Sequence, residues 1–193
     1  NVEFDEDDFQ EIVNYSKEKK ITFLCTPWDI PSVDFLEKLG VPAYKIASAD
    51  LTNLPLIAHI SKLNKPVIVS TGMSEMEEIE KTVSFMKEKN IVFSLLHCCS
   101  TYPSPVELLN LSLIPILQEK FNVPIGYSGH ESSILPSITA ANMGAVIIER
   151  HITLDKTMEG LDQAASLEPD EFKELIQKIR ESEKAKGTPI KQM

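Results

Sequence analysis

The chain has 193 residues, of which 42% are hydrophobic and 25% are charged, a composition typical of a globular protein with one sizeable core. Its formal net charge of -10 argues against a nucleic-acid partner, because binding to a phosphate backbone needs a basic surface. No apolar run approaches the roughly 18 residues that a membrane helix needs, which argues against a membrane partner.

Short apolar runs alternate with segments of helical period along the chain. We predict six strands, at residues 21–25, 43–48, 66–70, 91–97, 123–127 and 145–148. Helices are predicted at residues 6–19, 32–39, 53–64, 107–120 and 132–143, and others begin at Ser74 and Pro169. We expect Leu108 and Ile176 to face the core from their helices. The strands are continuous apolar runs, which is typical of a parallel sheet covered on both faces.

Two architectures fit this alternation: a (β/α)8 barrel that lacks two units, or an open doubly wound sheet. No G-x-G-x-x-G motif follows any strand, which weakens the dinucleotide-binding alternative. Polar residues cluster just after the strand ends, and in a barrel those ends converge on one face. We therefore predict an α/β fold, an incomplete (β/α)8 TIM barrel of about six β/α units.

A histidine follows each of the last two predicted strands: His130 and His151. On neighbouring parallel strands, the two imidazoles would point at one spot. Neutral imidazole suits a divalent transition metal, and two ligands leave coordination positions for substrate or water. The alternative is that each is a satisfied structural histidine.

Lys45 lies inside the apolar strand at 43–48, where a lysine is costly unless it meets an anion or loses its proton. One interpretation is a phosphate or carboxylate partner, and the other is a Schiff-base lysine. A third is a lysine that extends to the barrel mouth without either role. Four hydroxyl residues at strand ends, Thr26, Ser48, Ser70 and Ser128, favour the anion.

Two acids and the cysteines complete the set of candidate residues. Asp162 follows the last strand and Asp50 follows the second, so both could accept hydrogen bonds from substrate hydroxyls. His97 lies on a strand and is predicted to be packed in the core or to support the residues that bind substrate. The chain has three cysteines, which is an odd number, and they lie on apolar runs. Both observations predict reduced thiols and a cytoplasmic protein.

Several motifs, in order, carry a resemblance to a known family. They are Thr26-Pro27-Trp28-Asp29, Tyr44-Lys45-Ile46-Ala47-Ser48, Ser70-Thr71-Gly72-Met73, Leu96-His97-Cys98 with Tyr102-Pro103, Gly126-Tyr127-Ser128-Gly129-His130, Glu149-Arg150-His151 and Ala165-Ser166-Leu167-Glu168-Pro169. From about residue 21 to residue 180, the chain resembles the N-acetylneuraminate (sialic acid) synthase family.

The resemblance implies a metal-dependent barrel enzyme that condenses phosphoenolpyruvate with N-acetylmannosamine or its 6-phosphate. It implies that His130 and His151 bind a divalent metal, Mn or Mg, which acts as a Lewis acid. The implied catalytic residues are Lys45, His130 and His151. The implied phosphoenolpyruvate ligands are Thr26, Lys45, Ser48, Ser70 and Ser128, and the implied sugar-binding residues are Asp50, Tyr102 and Asp162. It also implies a homodimer of the full-length protein.

Three positions depart from the pattern of some members. Gly129 stands where many bacterial members have Asp, Ser100 replaces an Asn, and Gln163 stands where His is usual. The sequence around His130 and His151 is more similar to that of the animal-type enzymes than to that of the bacterial ones, which favours the 6-phosphorylated sugar. Which nonulosonic acid is made stays open.

The resemblance also implies parts that this chain lacks. Two family strands, with a catalytic Glu, would precede Asn1, and a C-terminal antifreeze-like domain would follow Met193. We therefore predict a partial barrel domain over residues 1–187 and the start of a linker over residues 188–193. The isolated segment is expected to be inactive and poorly soluble, since open barrel edges expose unpaired backbone.

Two other functions remain open at this point. One is a Schiff-base aldolase that uses Lys45. The other is a non-catalytic barrel that binds a sugar or a phosphate. Borohydride trapping of Lys45 would favour the first, and ligand binding without turnover would favour the second.

Overall fold

The computed structural model describes residues 4–188, 190 and 191. The chain divides into two compact units, Asn1–Val69 with Met76–Phe93, and Ser70–Glu75 with Ser94–Met193. Within the described residues, no helix is both long and apolar enough to cross a membrane. The predicted linker at 188–193 falls partly on residues 189, 192 and 193, which lie outside that description.

The first unit contains four helices and most of two strands. They are α1 (Glu6–Glu18), α2 (Ile30–Leu39), β1 (Tyr44–Ile46), α3 (Leu54–Ile60), β2 (Val67–Ser70) and α4 (Met76–Glu88). Helix α2 shows why the sequence folds this way. The Asp29 carboxylate accepts a hydrogen bond from the Ser32 N–H at its start, and Gly40 ends it with a left-handed φ of 76°.

Strands β1 and β2 are parallel, with Lys45 opposite Ile68 in the register. The neighbours of Lys45 in the strand, Tyr44 and Ile46, are fully buried, whereas Lys45 itself is half-buried. Because successive side chains of a strand point to opposite sides, Lys45 lies on the other side of β1 from these two core residues.

The second unit contains a three-stranded parallel sheet and three helices. They are β3 (Phe93–Cys98), α5 (Leu113–Phe121), β4 (Ile125–Gly129), α6 (Leu135–Asn142), β5 (Ile148–Arg150) and α7 (Pro169–Lys186). The strand order is β3-β4-β5. Helix α7 begins at Pro169, as the sequence predicts. Past β5, Ile152 pairs with Leu167 in an isolated parallel bridge.

Four sequence expectations are wrong. Residues 21–25 form no strand. An apolar run becomes a strand only when its backbone finds a ladder partner, and the Ile21 N–H instead donates to the C=O of Ser16 at the end of α1 (2.9 Å). The described residues therefore contain five of the six predicted strands.

The other three errors concern helices. The helix predicted at 107–120 is a short 3-10 turn, Val106–Leu108, followed by α5, because Asn110 adopts a left-handed φ of 46° between them. Leu108 is consequently 51% exposed. Ile176 is also exposed, since α7 buries Leu175 and presents the neighbouring residue to the surface.

Candidate functional site

Two imidazoles lie side by side at the carboxyl ends of β4 and β5. The register pairs Gly129 with Arg150. His130 directly follows Gly129, and His151 directly follows Arg150. Their ring centroids are 5.2 Å apart, at an interplanar angle of 54°. The two histidines therefore approach each other as the sequence predicts, and their role as metal ligands stays a prediction.

His130 is buried, and its two ring nitrogens have different partners. Nδ1 lies 2.8 Å from the C=O of Cys99, and Nε2 lies 2.9 Å from the Tyr102 hydroxyl. Because a carbonyl only accepts, Nδ1 carries a proton, so in the neutral ring Nε2 presents the lone pair. A backbone carbonyl on one nitrogen commonly fixes the tautomer in which the other nitrogen binds a metal.

His151 is half-buried, and its backbone is held by the isolated bridge beyond β5. The Leu167 N–H donates to the C=O of His151 (2.9 Å). Nδ1 of His151 is 3.9 Å from Oδ2 of Asp162. Burial lowers the pKa of His151, the Asp162 charge partly offsets this, and His130 lowers it further. At neutral pH the ring is therefore uncharged, which is the form that binds metals.

Tyr102 lies against both histidines. Its ring is 4.1 Å from the His130 ring between centroids, and it meets the His151 ring edge-on at 5.8 Å. Burial, together with nearby negative charges that include Asp162 and Glu149, raises the pKa of Tyr102 to about 12. The phenol is therefore a neutral hydrogen-bond donor at this position.

Ser128 and Glu149 form a second polar pair on the same strands. They are opposite each other in the register of β4 and β5, and Ser128 Oγ donates to Oε1 of Glu149 (2.7 Å). Sequence reasoning did not select Glu149 as a site residue. Strand alternation could have found it, because Glu149 and His151 are two residues apart and lie on one side of the chain.

Ser70 is the last residue of β2 and is buried in the second unit. It is followed by Thr71, whose N–H and hydroxyl both donate to the C=O of Leu96 (3.0 Å each). These bonds fix the backbone next to Ser70. Asp162 lies on the loop after β5, with an exposed side chain, and its C=O accepts from Ser166 Oγ (2.9 Å).

The remaining predicted residues lie in the first unit. Thr26, Lys45, Ser48 and Asp50 are all half-buried. Nζ of Lys45 lies 3.4 Å from the C=O of Ile46. Ser48–Asp50 forms a 3-10 turn directly after β1, and Asp50 Oδ1 accepts from Asn53 Nδ2 (2.9 Å). The predicted anion-binding residues thus belong to both units, with Ser70 and Ser128 in the second.

His97, which sequence reasoning predicted to be packed, is buried on β3. One of its ring nitrogens, Nε2, lies 2.7 Å from the C=O of Leu109. Burial lowers its pKa, and the bond to Leu109 partly offsets this effect. His97 therefore connects β3 to the segment before α5 and is not part of the pair formed by His130 and His151.

The histidine pair fits a divalent metal in chemical terms. Among the described residues, no group of three or more His, Cys, Asp and Glu side chains is placed to hold a metal ion. The two imidazoles would supply two ligands, and other coordination positions would stay open. The free lone pair on Nε2 of His130 suits this role, and the metal would replace the hydrogen bond from Tyr102.

Comparisons with known proteins place this geometry in context. A family model described as the NeuB family matches residues 1–191. The chain is 44% identical over 187 residues to an N,N'-diacetyllegionaminic acid synthase of Campylobacter jejuni, covering 94% of this chain and 55% of that protein. It is 41% identical over 194 residues to the N-acetylneuraminate-9-phosphate synthase of Homo sapiens, covering 100% of this chain and 54% of that protein.

The chain is also similar to a solved structure of a sialic acid synthetase. The N-acetylneuraminic acid synthetase of Leptospira borgpetersenii, crystallised with citrate, superposes with a TM-score of 0.94 at 38% identity, covering 99% of this chain and 67% of that chain. This likeness confirms the predicted α/β fold of the incomplete (β/α)8 TIM-barrel type. The chain spans about half the length of the curated relatives that it matches.

Proposed function

The chain belongs to the NeuB family, and we propose that the protein containing it condenses phosphoenolpyruvate with N-acetylmannosamine or its 6-phosphate. The products are a nonulosonic acid of the sialic type and phosphate. The observation that supports this most is the cluster of Tyr102, His130 and His151 at neighbouring strand ends. The relatives support the broader statement, a sialic-acid-type synthase.

The two histidines are proposed to hold Mn or Mg. The bound ion would polarise the aldehyde of the sugar, so that C3 of phosphoenolpyruvate can attack it. His130 offers Nε2 because Nδ1 donates to Cys99, and His151 stays neutral because it is half-buried. Tyr102 is a donor within reach of the same place, and we propose that it and Asp162 contact the sugar. Asp50 is proposed for the same role.

Phosphoenolpyruvate is an anion, and the proposed ligands match its charge. The ammonium group of Lys45 pairs with the phosphate or carboxylate, and the hydroxyls donate hydrogen bonds. These hydroxyl residues are Thr26, Ser48, Ser70 and Ser128. After C3 attacks the aldehyde carbon, water adds at C2. The tetrahedral intermediate then loses phosphate by cleavage of the C–O bond.

The two named relatives differ in product, so identity alone does not select the sugar. One is named for a legionaminic acid derivative and the other for N-acetylneuraminate 9-phosphate, at 44% and 41% identity. We propose N-acetylmannosamine or its 6-phosphate, and the similarity of the sequence around the histidines to animal-type enzymes favours the 6-phosphate. We also propose a cytoplasmic homodimer for the complete protein.

Phosphate release from phosphoenolpyruvate tests the proposal in the complete protein. The assay contains Mn and either N-acetylmannosamine or its 6-phosphate, with and without a chelator. Release that needs both sugar and metal is expected, and it is expected to be lost in His130→Ala. His59→Ala is a matched control, since His59 bonds Asp34 in the first unit (2.7 Å) and lies in no proposed site.

Three results would contradict the proposal. If no phosphate is released with either sugar, the proposed reaction is ruled out. If release continues in the presence of the chelator, the proposed dependence on a metal is ruled out. Loss of activity on borohydride treatment with a carbonyl substrate, with the adduct on Lys45, would favour the Schiff-base aldolase instead.

A further inference from the structure

A buried ion pair adjoins the two histidines in sequence. Glu131 follows His130, and Arg150 precedes His151. Nη1 of Arg150 is 2.9 Å from Oε1 of Glu131, and the two side chains are 0% and 1% exposed. The pair joins the segment after β4 to the last residue of β5, so it connects the two segments that carry the imidazoles.

Glu131 has further donors that hold its carboxylate in one orientation. The Tyr127 hydroxyl donates to Oε2 (2.7 Å), and Ser137 Oγ donates to Oε1 (3.1 Å). Tyr127 lies on β4 and Ser137 lies on α6. Rotation of the carboxylate would therefore break bonds to a strand, a helix and Arg150 at once.

Arg150 is held in the same way. Nη1 donates to the C=O of Ser133 (3.0 Å), and Nη2 donates to the backbone C=O groups of Glu131 and Ala165. Ala165 lies two residues before Leu167, whose N–H holds the backbone of His151. The guanidinium thus contacts the backbone around both histidines.

Gly129 shows how close the carboxylate lies to the chain before His130. A Cβ atom at this position would lie 2.7 Å from Oε2 of Glu131 and 2.7 Å from Cε1 of Tyr127. Such contacts are shorter than real Cβ atoms make. The absence of a side chain at residue 129 therefore leaves room for the Glu131 carboxylate, which packs against the backbone there.

The ion pair lies on the side of β5 away from the candidate site. Side chains alternate along a strand, so Arg150 points opposite to Glu149 and His151. A buried ion pair is also no clear gain in stability over well-packed apolar residues. Within the described part of the chain, Nε of Arg150 has no hydrogen-bond partner, which adds a cost. The network therefore needs an explanation other than stability.

We propose that Glu131 and Arg150 are positioning residues, which fix the distance and orientation of His130 relative to His151. The directional bonds of the pair link the backbones that carry the two rings. That this orientation serves metal binding rests on the proposed function. The orientation of the His130 ring can nevertheless be measured without metal or substrate.

The test uses the complete protein with Glu131→Asp and Arg150→Lys, which keep both charges and change the reach of one side chain. The first readout is the imidazole ¹⁵N spectrum of His130 in metal-free protein, which distinguishes the two tautomers. The second is the Kd for Mn by calorimetry. Thr82→Val is the matched control, because Thr82 is buried and its hydroxyl donates to the Leu51 C=O (2.9 Å) in the first unit.

We expect the wild type and Thr82→Val to show one His130 tautomer, with the proton on Nδ1. Both positioning variants should show mixed tautomers and a Kd for Mn raised about 10- to 100-fold, as for other partners that orient metal ligands. An unchanged tautomer and Kd in both variants would overturn the proposal. If either variant fails to fold, Glu131→Gln/Arg150→Met removes both charges and gives the same readouts.

Failure of the proposed function looks different. Wild-type protein that binds no Mn and releases no phosphate would contradict that function, and the tautomer readout would still decide the role of Glu131 and Arg150. Mixed tautomers only in the variants would support positioning, and one tautomer in all proteins would overturn it.

Discussion

The Tyr102 hydroxyl and Nε2 of His130 are 2.9 Å apart, and the two rings lie 4.1 Å apart between centroids. The hydroxyl donates to the same lone pair that a metal would take. If a metal binds His130 as proposed, it would displace this hydrogen bond and leave the Tyr102 hydroxyl able to bond another group.

Tyr102→Phe is expected to tighten Mn binding, because the metal no longer displaces a hydrogen bond. A bond of this kind contributes about 1 kcal/mol, which corresponds to a roughly fivefold lower Kd. Turnover of the sugar should fall at the same time if the hydroxyl contacts it. Calorimetric titration of the complete protein with Mn checks the first effect.

Tyr44→Phe is the control for this change. Its hydroxyl donates to Glu37 (2.7 Å) in the first unit, and its removal should leave the Kd for Mn unchanged. A weaker Mn affinity in Tyr102→Phe would show that the hydroxyl supports the metal-binding arrangement rather than competing with it.

His97 predicts how stability depends on pH. Burial lowers its pKa in the folded protein, so the unfolded chain, with an ordinary pKa near 6.5, binds the proton more readily. The contribution of His97 to stability is therefore present above about pH 6.5, and it is lost as the pH falls below that value. The free energy of unfolding in urea, measured between about pH 5 and 8, should fall on the acid side.

His97→Phe separates this effect from other groups. It removes the titration and leaves the C=O of Leu109 without its donor, which costs about 1–3 kcal/mol at neutral pH. Its unfolding free energy should decline less steeply than that of the wild type below about pH 6.5. Parallel pH profiles for the two proteins would exclude His97 as the source.

Strands β1 to β4 were predictable because each coincides with a mainly apolar run, whereas β5 (Ile148–Arg150) meets the predicted run 145–148 only at Ile148. The run Ile21–Cys25 has the same composition and forms no strand, since pairing depends on a neighbour that the local sequence does not reveal. The break at Asn110 is similar in kind. An asparagine tolerates both helical and left-handed backbone, and tertiary contacts decide between them.

The approach of His130 to His151 was predictable because each histidine follows the carboxyl end of a predicted parallel strand. The stacking of Tyr102 was not, because the loop that carries it has no periodicity. Glu131 and Arg150 were missed for a different reason. Charged residues beside a site are usually expected in solvent, and only the packing of α6 against β4 and β5 shows that both are buried.

Gly126→Ala tests how tightly β4 is packed ahead of the site. A Cβ atom there would lie 2.7 Å from the C=O oxygen and 2.8 Å from Cβ of Ile147, so backbone would have to move. Overpacking of this kind typically costs about 1–3 kcal/mol. Urea unfolding should show that loss. An unchanged midpoint would show that the strand tolerates a side chain here.

The charge of Asp162 affects the pKa of His151. The carboxylate, 3.9 Å from Nδ1, raises the pKa of His151 against the larger lowering effect of burial. Asp162→Asn removes that charge, so the pKa of His151 should fall further, and the neutral ring should persist to lower pH. Titration of the imidazole by NMR in metal-free protein measures the shift directly.

Salt provides the control within the same experiment. The Asp162 side chain is 60% exposed, so its field is screened by ions, and the difference between wild type and variant should shrink at about 1 M salt. Burial does not depend on salt, and the lowering that both proteins share should remain. A pKa that rises in Asp162→Asn would mean that the carboxylate acts on His151 through a structural contact and not through its charge.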